Sequence, residues 1–167
     1  MKKKIGILTA ITFVLASCST TKIYTIQAKS NTSTQGTAKF TQKGNKVTLD
    51  LNVYKLKPNS LSASHIHEFG DCSAPDGSSA GGHWNPTHEK HGKWEHGEHH
   101  RGDLGNLKTD KNGYARMVIT TDKWCLGCKD ETKNIIGKSI IIHAKADDFK
   151  TQPTGDAGGR VGCVEIK

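Results

Sequence analysis

The chain has no apolar run long enough to cross a bilayer. Its most apolar stretch, Ile5 to Ala16, covers twelve residues, well short of the ~20 that a spanning helix needs. That excludes a polytopic membrane protein. No internal repeat, second compositional block or nucleic-acid motif is present. The hydrophobic share is only 34%, but 18 of the 167 residues are glycine. Together they reach about the 45% apolar content of ordinary globular chains, which excludes a disordered chain. So many glycines favour a turn-rich β fold over a helix bundle. The length suits one domain with its own core.

The N-terminus reads as a targeting segment. Lys2-Lys3-Lys4 precedes the apolar stretch, and Leu15-Ala16-Ser17-Cys18 follows it. Small residues ahead of a cysteine resemble the bacterial lipobox, which implies cleavage before Cys18 and lipidation of its thiol and new amino group. The expected organisation is a lipoprotein signal peptide over 1–17, a lipidated Cys18 with a polar tether over 18–22, and one domain over 23–167. The expected location is a bacterial cell envelope, with the domain facing the periplasm or the exterior. Several acyl chains would anchor it firmly, since each buried methylene contributes about 0.8 kcal/mol. Losing residues 1–17 lowers Lys plus Arg from 24 to 21 against 16 acidic residues, a mature charge of +5. That balance fits a solvated, lysine-rich surface that also attracts small anions. It does not point to nucleic acid.

Four cysteines remain: Cys72, Cys125, Cys128 and Cys163. An even count in an exported protein implies disulfides, with three pairings open in principle. The two-residue gap between Cys125 and Cys128 favours a local pair, which leaves Cys72 with Cys163.

Alternating, β-branched segments predict strands at Ile23 to Lys29, Thr37 to Gln42, Val47 to Tyr54, Ser64 to Phe69, Tyr114 to Thr120, Ser139 to His143 and Val161 to Ile166. Val47, Leu49, Leu51 and Val53 show the period-two pattern most clearly. Lys43-Gly44-Asn45 signals a tight turn. Residues 70–106 and 145–159 are rich in Gly and polar groups and read as two long loops, and loops of that length are usually functional. Short strands with two long loops indicate a sandwich or barrel.

Histidine is over-supplied: nine residues, six of them between His83 and His100. His65 and His67 would share one strand face. His83, His91, His100, Asp103 and His143 follow. Imidazole suits copper and zinc, and a carboxylate oxygen is a good zinc ligand. Six His and one Asp suffice for two adjacent sites if one imidazole is shared.

Six motifs carry a specific resemblance. They are His65-Ile-His-Glu-Phe-Gly-Asp71, Gly82-His-Trp-Asn-Pro86, His91-Gly92, His100-Arg-Gly-Asp-Leu-Gly-Asn106, His143-Ala-Lys-Ala-Asp-Asp148 and Gly158-Gly-Arg-Val-Gly-Cys163. In this order and spacing they resemble the copper/zinc superoxide dismutase family, over roughly residues 24–167. The placement of Cys72 is similar to the bacterial branch. The resemblance implies an all-β, eight-stranded antiparallel Greek-key barrel or sandwich with a metal-binding loop and an electrostatic loop. It implies one copper and one zinc per subunit, with His65, His67, His83 and His143 as copper ligands. His83, His91, His100 and Asp103 would be the zinc ligands, with His83 shared. Asp147 would join His65 to His91, Arg160 would stand beside the copper channel, and Thr154 would narrow it. The family pattern also pairs Cys72 with Cys163, a closure worth roughly 4–5 kcal/mol in the chain-entropy model. The implied reaction is dismutation of superoxide to oxygen and hydrogen peroxide, protecting the envelope. A homodimer is compatible with the resemblance.

The chain departs from the family at Ala63-Ser64, where glycine and an aromatic are usual, and at Trp84, where phenylalanine is usual. Trp124-Cys-Leu-Gly-Cys128 superficially resembles a thioredoxin-like motif but lacks the βαβ setting. A structural disulfide is the leading reading, ahead of a labile redox or copper-handling pair. His88, His96 and His99 match no family role and read as solvated loop residues, with weak metal capture as the alternative. The rival function is copper storage or delivery without turnover. Loss of a copper ligand or of Arg160 would mark it, and neither is lost.

Overall fold

The structure, a computed structural model, describes residues 19–167. The expected signal peptide over 1–17 and the expected lipidation at Cys18 lie outside the described residues. Among the described residues there are nine strands, one short 3-10 turn at Ser78–Ala80 and no α-helix. The strands are β1 Ser19–Thr25, β2 Gln27–Ala28, β3 Gln35–Lys43, β4 Lys46–Tyr54 and β5 Leu61–His67, then β6 Asp103–Lys108, β7 Ala115–Thr121, β8 Ser139–His143 and β9 Arg160–Glu165. They form two antiparallel sheets, in the orders β1-β3-β4-β7 and β2-β9-β8-β5-β6.

The core follows from the alternation. Val47, Leu49, Leu51 and Val53 of β4 all point inward and are fully buried. They meet Ala38 and Phe40 of β3, and Ile66, Ile140, Ile142 and Val164 from the other sheet. Each such side chain contributes about 1.5–3 kcal/mol through burial. The β3–β4 hairpin pairs Lys43 with Lys46, leaving Gly44 and Asn45 as a two-residue loop. Gly44 has φ +60°, a conformation that glycine adopts without a steric penalty.

The expected all-β architecture of antiparallel strands is present, but the described residues hold nine strands where eight were expected. The first expected strand is two strands. Ile26 is buried and its N–H donates to the Gly36 carbonyl at 3.0 Å. There the chain leaves β3 for β9, so β1 and β2 belong to different sheets. Residues 19–22, expected as a tether, are instead the first four positions of β1, paired with Lys43 to Phe40. Strand β6 was hidden at the end of the expected loop over 70–106, because Asp103-Leu-Gly-Asn reads as turn chemistry. Both expected disulfides form: Cys72–Cys163 spans 91 residues and Cys125–Cys128 spans three.

The second sheet is built to carry a site. β5 is buried at six of its seven positions and β8 at all five. One face meets the core, and the segments over 68–102 and 144–159 cover the other. Register shifts fall between Ser64 and His65 and between Ile142 and His143. Bulges of this kind re-aim side chains beside functional sites, and here both flank a histidine.

Candidate metal centre

Strand β5 delivers His65 and His67, the end of β8 delivers His143, and the loop after the 3-10 turn delivers His83. His83 is held by a bridge to His67. These four side chains bring one ring nitrogen each within 4.8 Å of the others. All four residues are buried, His83 the most exposed at 6%. Their outer nitrogens are anchored. His65 Nε2 donates to Asp147 Oδ2 at 2.8 Å, His67 Nδ1 to the Gly81 carbonyl at 3.0 Å, and His143 Nδ1 to the Gly158 carbonyl at 3.2 Å. That fixes the tautomers and leaves unprotonated nitrogens facing inward. His65 Nδ1, His67 Nε2, His83 Nε2 and His143 Nε2 are all buried and have no hydrogen-bond partner. Buried polar atoms are normally paired, so four unpaired lone pairs converging on one point fit a metal ion.

A second cluster lies on the far side of His83. Asp103 Oδ1 stands 3.1 Å from His83 Nδ1, 3.0 Å from His91 Nδ1 and 3.3 Å from His100 Nδ1. His100 Nδ1 is 3.4 Å from His83 Nδ1. A tetrahedron with metal–ligand bonds of about 2.0 Å has edges of about 3.3 Å. The four distances given fit edges of such a tetrahedron, with His100 joining through Asp103 and His83; the four side chains whose ligand atoms all lie within 4.8 Å of one another are His65, His83, His91 and Asp103. His65 also reaches this neighbourhood, but Asp147 engages its Nε2 and its ring stacks on His83 at 3.9 Å. Asp103 is oriented by its other oxygen, which accepts from Gly92 N–H at 3.1 Å and His100 N–H at 2.8 Å.

Asp147 ties the clusters together. Its Oδ2 takes His65 Nε2, and its Oδ1 takes His91 Nε2 at 2.9 Å. Two supports of this carboxylate escaped sequence reasoning. Asn106 clamps the Asp147 backbone, donating to its carbonyl at 2.9 Å and accepting from its N–H at 2.8 Å. Gly155 passes directly over the Asp147–His91 bond, where a Cβ would lie 2.0 Å from Asp147 Oδ1 and 2.6 Å from His91 Nε2. With φ +67° as well, this position accepts only glycine. Residue type could have flagged both as polar or flexible, but not what they touch.

Electrostatics follows from burial. Burial pushes His143 down to about 3 and His83 to about 4, and holds His67 well below its ordinary value. These rings are therefore neutral donors. Burial alone would raise Asp103 and Asp147, yet hydrogen bonds from His100, His83 and His91 hold Asp103 well below the usual carboxylate range. Those from His65 and His91 do the same for Asp147. Burial would also lower His91, but Asp103 and Asp147 on its two sides outweigh it and hold the ring up at about 9. A cation arriving there must displace that proton.

Arg160 closes the cavity beside the four-histidine cluster. Its Nη1 donates to the Gly77 carbonyl and its Nη2 to the Gly81 carbonyl, both at 2.7 Å. Gly81 also holds His67, so one carbonyl positions the arginine and a cluster histidine. The cavity has a volume of ≈150 Å³ and is lined by His67, His83, His143, Thr154 and Arg160 among others. At about 30 Å³ per water, it admits a diatomic anion with a few waters.

The remaining candidates lie apart. His88, His96 and His99 enter neither cluster among the described residues. His99 is not the solvated loop residue expected: it is buried, its Nδ1 donates to the Gly97 carbonyl, Lys123 Nζ donates to its Nε2 at 3.2 Å, and Trp94 packs on its ring. Cys125 and Cys128 sit in the segment between β7 and β8, beside no helix. Trp84 is buried in the core, and the Ser64 hydroxyl donates to the Gly105 carbonyl at 3.2 Å.

A family model for copper/zinc superoxide dismutase (SODC) matches residues 34–166. The chain is 37% identical over 134 residues to Cu-Zn superoxide dismutase 1 of Aquifex aeolicus (strain VF5), covering 79% of each chain. It is 38% identical over 140 residues to the Cu-Zn superoxide dismutase of Candida albicans, covering 79% of this chain and 88% of that one. Among solved structures, a SOD-like protein from Bacillus subtilis aligns with TM-score 0.77 and 29% identity, over 87% of this chain and 97% of that one. The chain belongs to the copper/zinc superoxide dismutase family. It is an oxidoreductase of that type, acts on superoxide, and draws on copper and zinc.

Proposed function

We propose that His65, His67, His83 and His143 hold the copper. His83, His91, His100 and Asp103 hold the zinc, and His83 bridges the two. The observation that carries this reading is the set of four buried, unpartnered ring nitrogens, with the opposite nitrogen of His83 turned to Asp103. Bound copper supplies a one-electron redox cycle that no side chain provides. The protein supplies position, charge and protons.

Arg160, fixed by two carbonyls, presents a permanent positive charge where superoxide enters. Thr154 on the cavity wall limits the entrant to small anions. The basic surface raises the encounter rate in a salt-dependent way. His83 Nε2 is the proton-transfer atom. A proton held there would pass to peroxide, which takes its second proton from solvent and leaves as hydrogen peroxide, while Nδ1 stays directed at Asp103. Two superoxide ions and two protons yield one oxygen and one hydrogen peroxide.

We also propose that the domain works at the cell envelope, held by lipid on Cys18. Label from a fatty-acid precursor should enter the wild-type chain and not Cys18→Ala. Equal labelling of both would overturn the anchor alone.

The activity reading is tested by superoxide turnover of the purified chain before and after loading one copper and one zinc. Fast, copper-dependent turnover is expected. Full occupancy of both metals without turnover would overturn it and make copper storage or delivery the account.

A further inference from the structure

The two long loops meet at one residue that none of the family motifs contains. Gln152 lies in the segment over 144–159, and His91 lies sixty-one positions earlier in the segment over 68–102. The Gln152 side-chain amide grips the His91 backbone on both sides. Its Oε1 accepts the His91 N–H at 2.9 Å, and its Nε2 donates to the His91 carbonyl at 2.9 Å. A side-chain amide paired with both polar groups of one peptide residue mimics a strand pairing. It fixes that residue's backbone in translation and rotation.

The turn that presents Gln152 is itself organised. Asp148 Oδ1 accepts the N–H groups of Lys150 and Thr151 at 2.9 and 2.8 Å. The Asp148 N–H donates to the Gly155 carbonyl at 3.0 Å, closing the turn. Gln152 therefore stands on a preformed loop, which lowers the entropy that its grip must overcome. Among the described residues the matching clamp is that of Asn106 on the Asp147 backbone, so both partners of the Asp147–His91 bond are held by a side-chain amide. The consequence falls on the His91 ring. Asp147 holds Nε2 and Gln152 holds the backbone, so Nδ1 has one reachable position, 3.0 Å from Asp103 Oδ1.

We propose that Gln152 is a positioning residue for the zinc site, setting the reach of His91 Nδ1 through the His91 backbone. This rests on the reading of His91 as a zinc ligand. Through Gln152, zinc binding is coupled to order in the turn beside Thr154, and so to the wall of the anion channel.

The test is competition between the purified metal-free chain and a chelator for zinc ions. Wild type is compared with Gln152→Met, which makes neither bond, and Gln152→Glu, which still accepts from the His91 N–H but cannot donate. Partners that orient a ligand are typically worth 10–100-fold in metal affinity. Gln152→Met should weaken zinc by about that factor, and Gln152→Glu by less. The melting temperature of the metal-free form should stay near wild type, which separates positioning from a merely structural role. Zinc affinity equal to wild type in Gln152→Met would overturn the inference. So would a zinc loss matched by an equal fall in metal-free melting temperature in both variants. Wild type that takes up no zinc, or binds it equally after His91→Ala, would overturn the zinc reading and this inference with it.

Discussion

The two sheets of this protein use the same backbone for opposite purposes. In β1-β3-β4-β7, strand β4 alternates buried and partly exposed positions, and the buried ones are aliphatic. In β2-β9-β8-β5-β6, strands β5 and β8 are buried on both faces, and much of what they bury is polar: Ser62, Ser64, His65, His67, Ser139 and His143. Burying an unpaired polar group costs several kcal/mol. The first sheet largely avoids that cost: its buried positions are aliphatic or aromatic apart from Thr121 at the end of β7, whose hydroxyl accepts from the Lys123 N–H. The second offsets much of it with carboxylates and carbonyls that hold the outer histidine nitrogens, and the inward nitrogens are left for a metal; Ser139 Oγ is also left without a partner. One sheet is therefore a stability device and the other a binding device.

That division is open to disproof. The largest effect should come from His143→Ala, which removes one of the four converging nitrogens. Turnover should fall to background, while hydrogen exchange in β3 and β4 stays unchanged. Leu49→Ala should do the reverse. It should lose about 2–5 kcal/mol in denaturant unfolding and keep full copper and zinc stoichiometry. If the two variants share a phenotype, the division fails.

The metal-free protein should show the binding sheet through pH. His143 and His83 sit at about 3 and 4 against an ordinary 6.5. The unfolded chain takes up their protons first, so stability is full above 6.5 and is lost as pH falls through about 4 to 3. Asp103 and Asp147, held below the usual carboxylate range, act in the same direction at still lower pH. His91 acts oppositely. Held at about 9, it contributes fully below 6.5 and loses that contribution as pH rises through 9. Metal-free thermal melts should thus decline on both sides of neutrality, and zinc should remove the alkaline decline by replacing the His91 proton. An alkaline decline that persists with zinc bound would contradict this account.

The smallest effect belongs to the region remote from both devices. Cys125 and Cys128 close a loop of only three residues, so little chain entropy is at stake. Replacing both with serine should change stability by about 1 kcal/mol or less and leave turnover intact. Loss of turnover or of copper uptake in that variant would revive the redox or copper-handling reading.

The same contrast explains what the sequence makes legible. Period-two alternation marks β3, β4 and β7, because their two faces differ. It does not mark β6, whose Asp103, Gly105 and Asn106 look like turn residues until a metal cluster and the Asp147 backbone account for them. Nor does it mark the break at Ile26, because alternation records which face is buried and not which sheet a strand joins. Ser19-Thr20-Thr21 reads as a tether by polarity, yet it is an exposed edge whose partner is β3. The histidines are legible through order and spacing. Asn106, Gly155 and Gln152 are not, because their roles arise from backbone contacts between distant segments.

The most direct test of the central claim is a crystal structure of the copper- and zinc-loaded protein with anomalous data at both metal edges. The account predicts a copper peak among His65 Nδ1, His67 Nε2, His83 Nε2 and His143 Nε2. It predicts a zinc peak among His83 Nδ1, His91 Nδ1, His100 Nδ1 and Asp103 Oδ1. His83 touching only one metal, or both metals lying elsewhere, would contradict it.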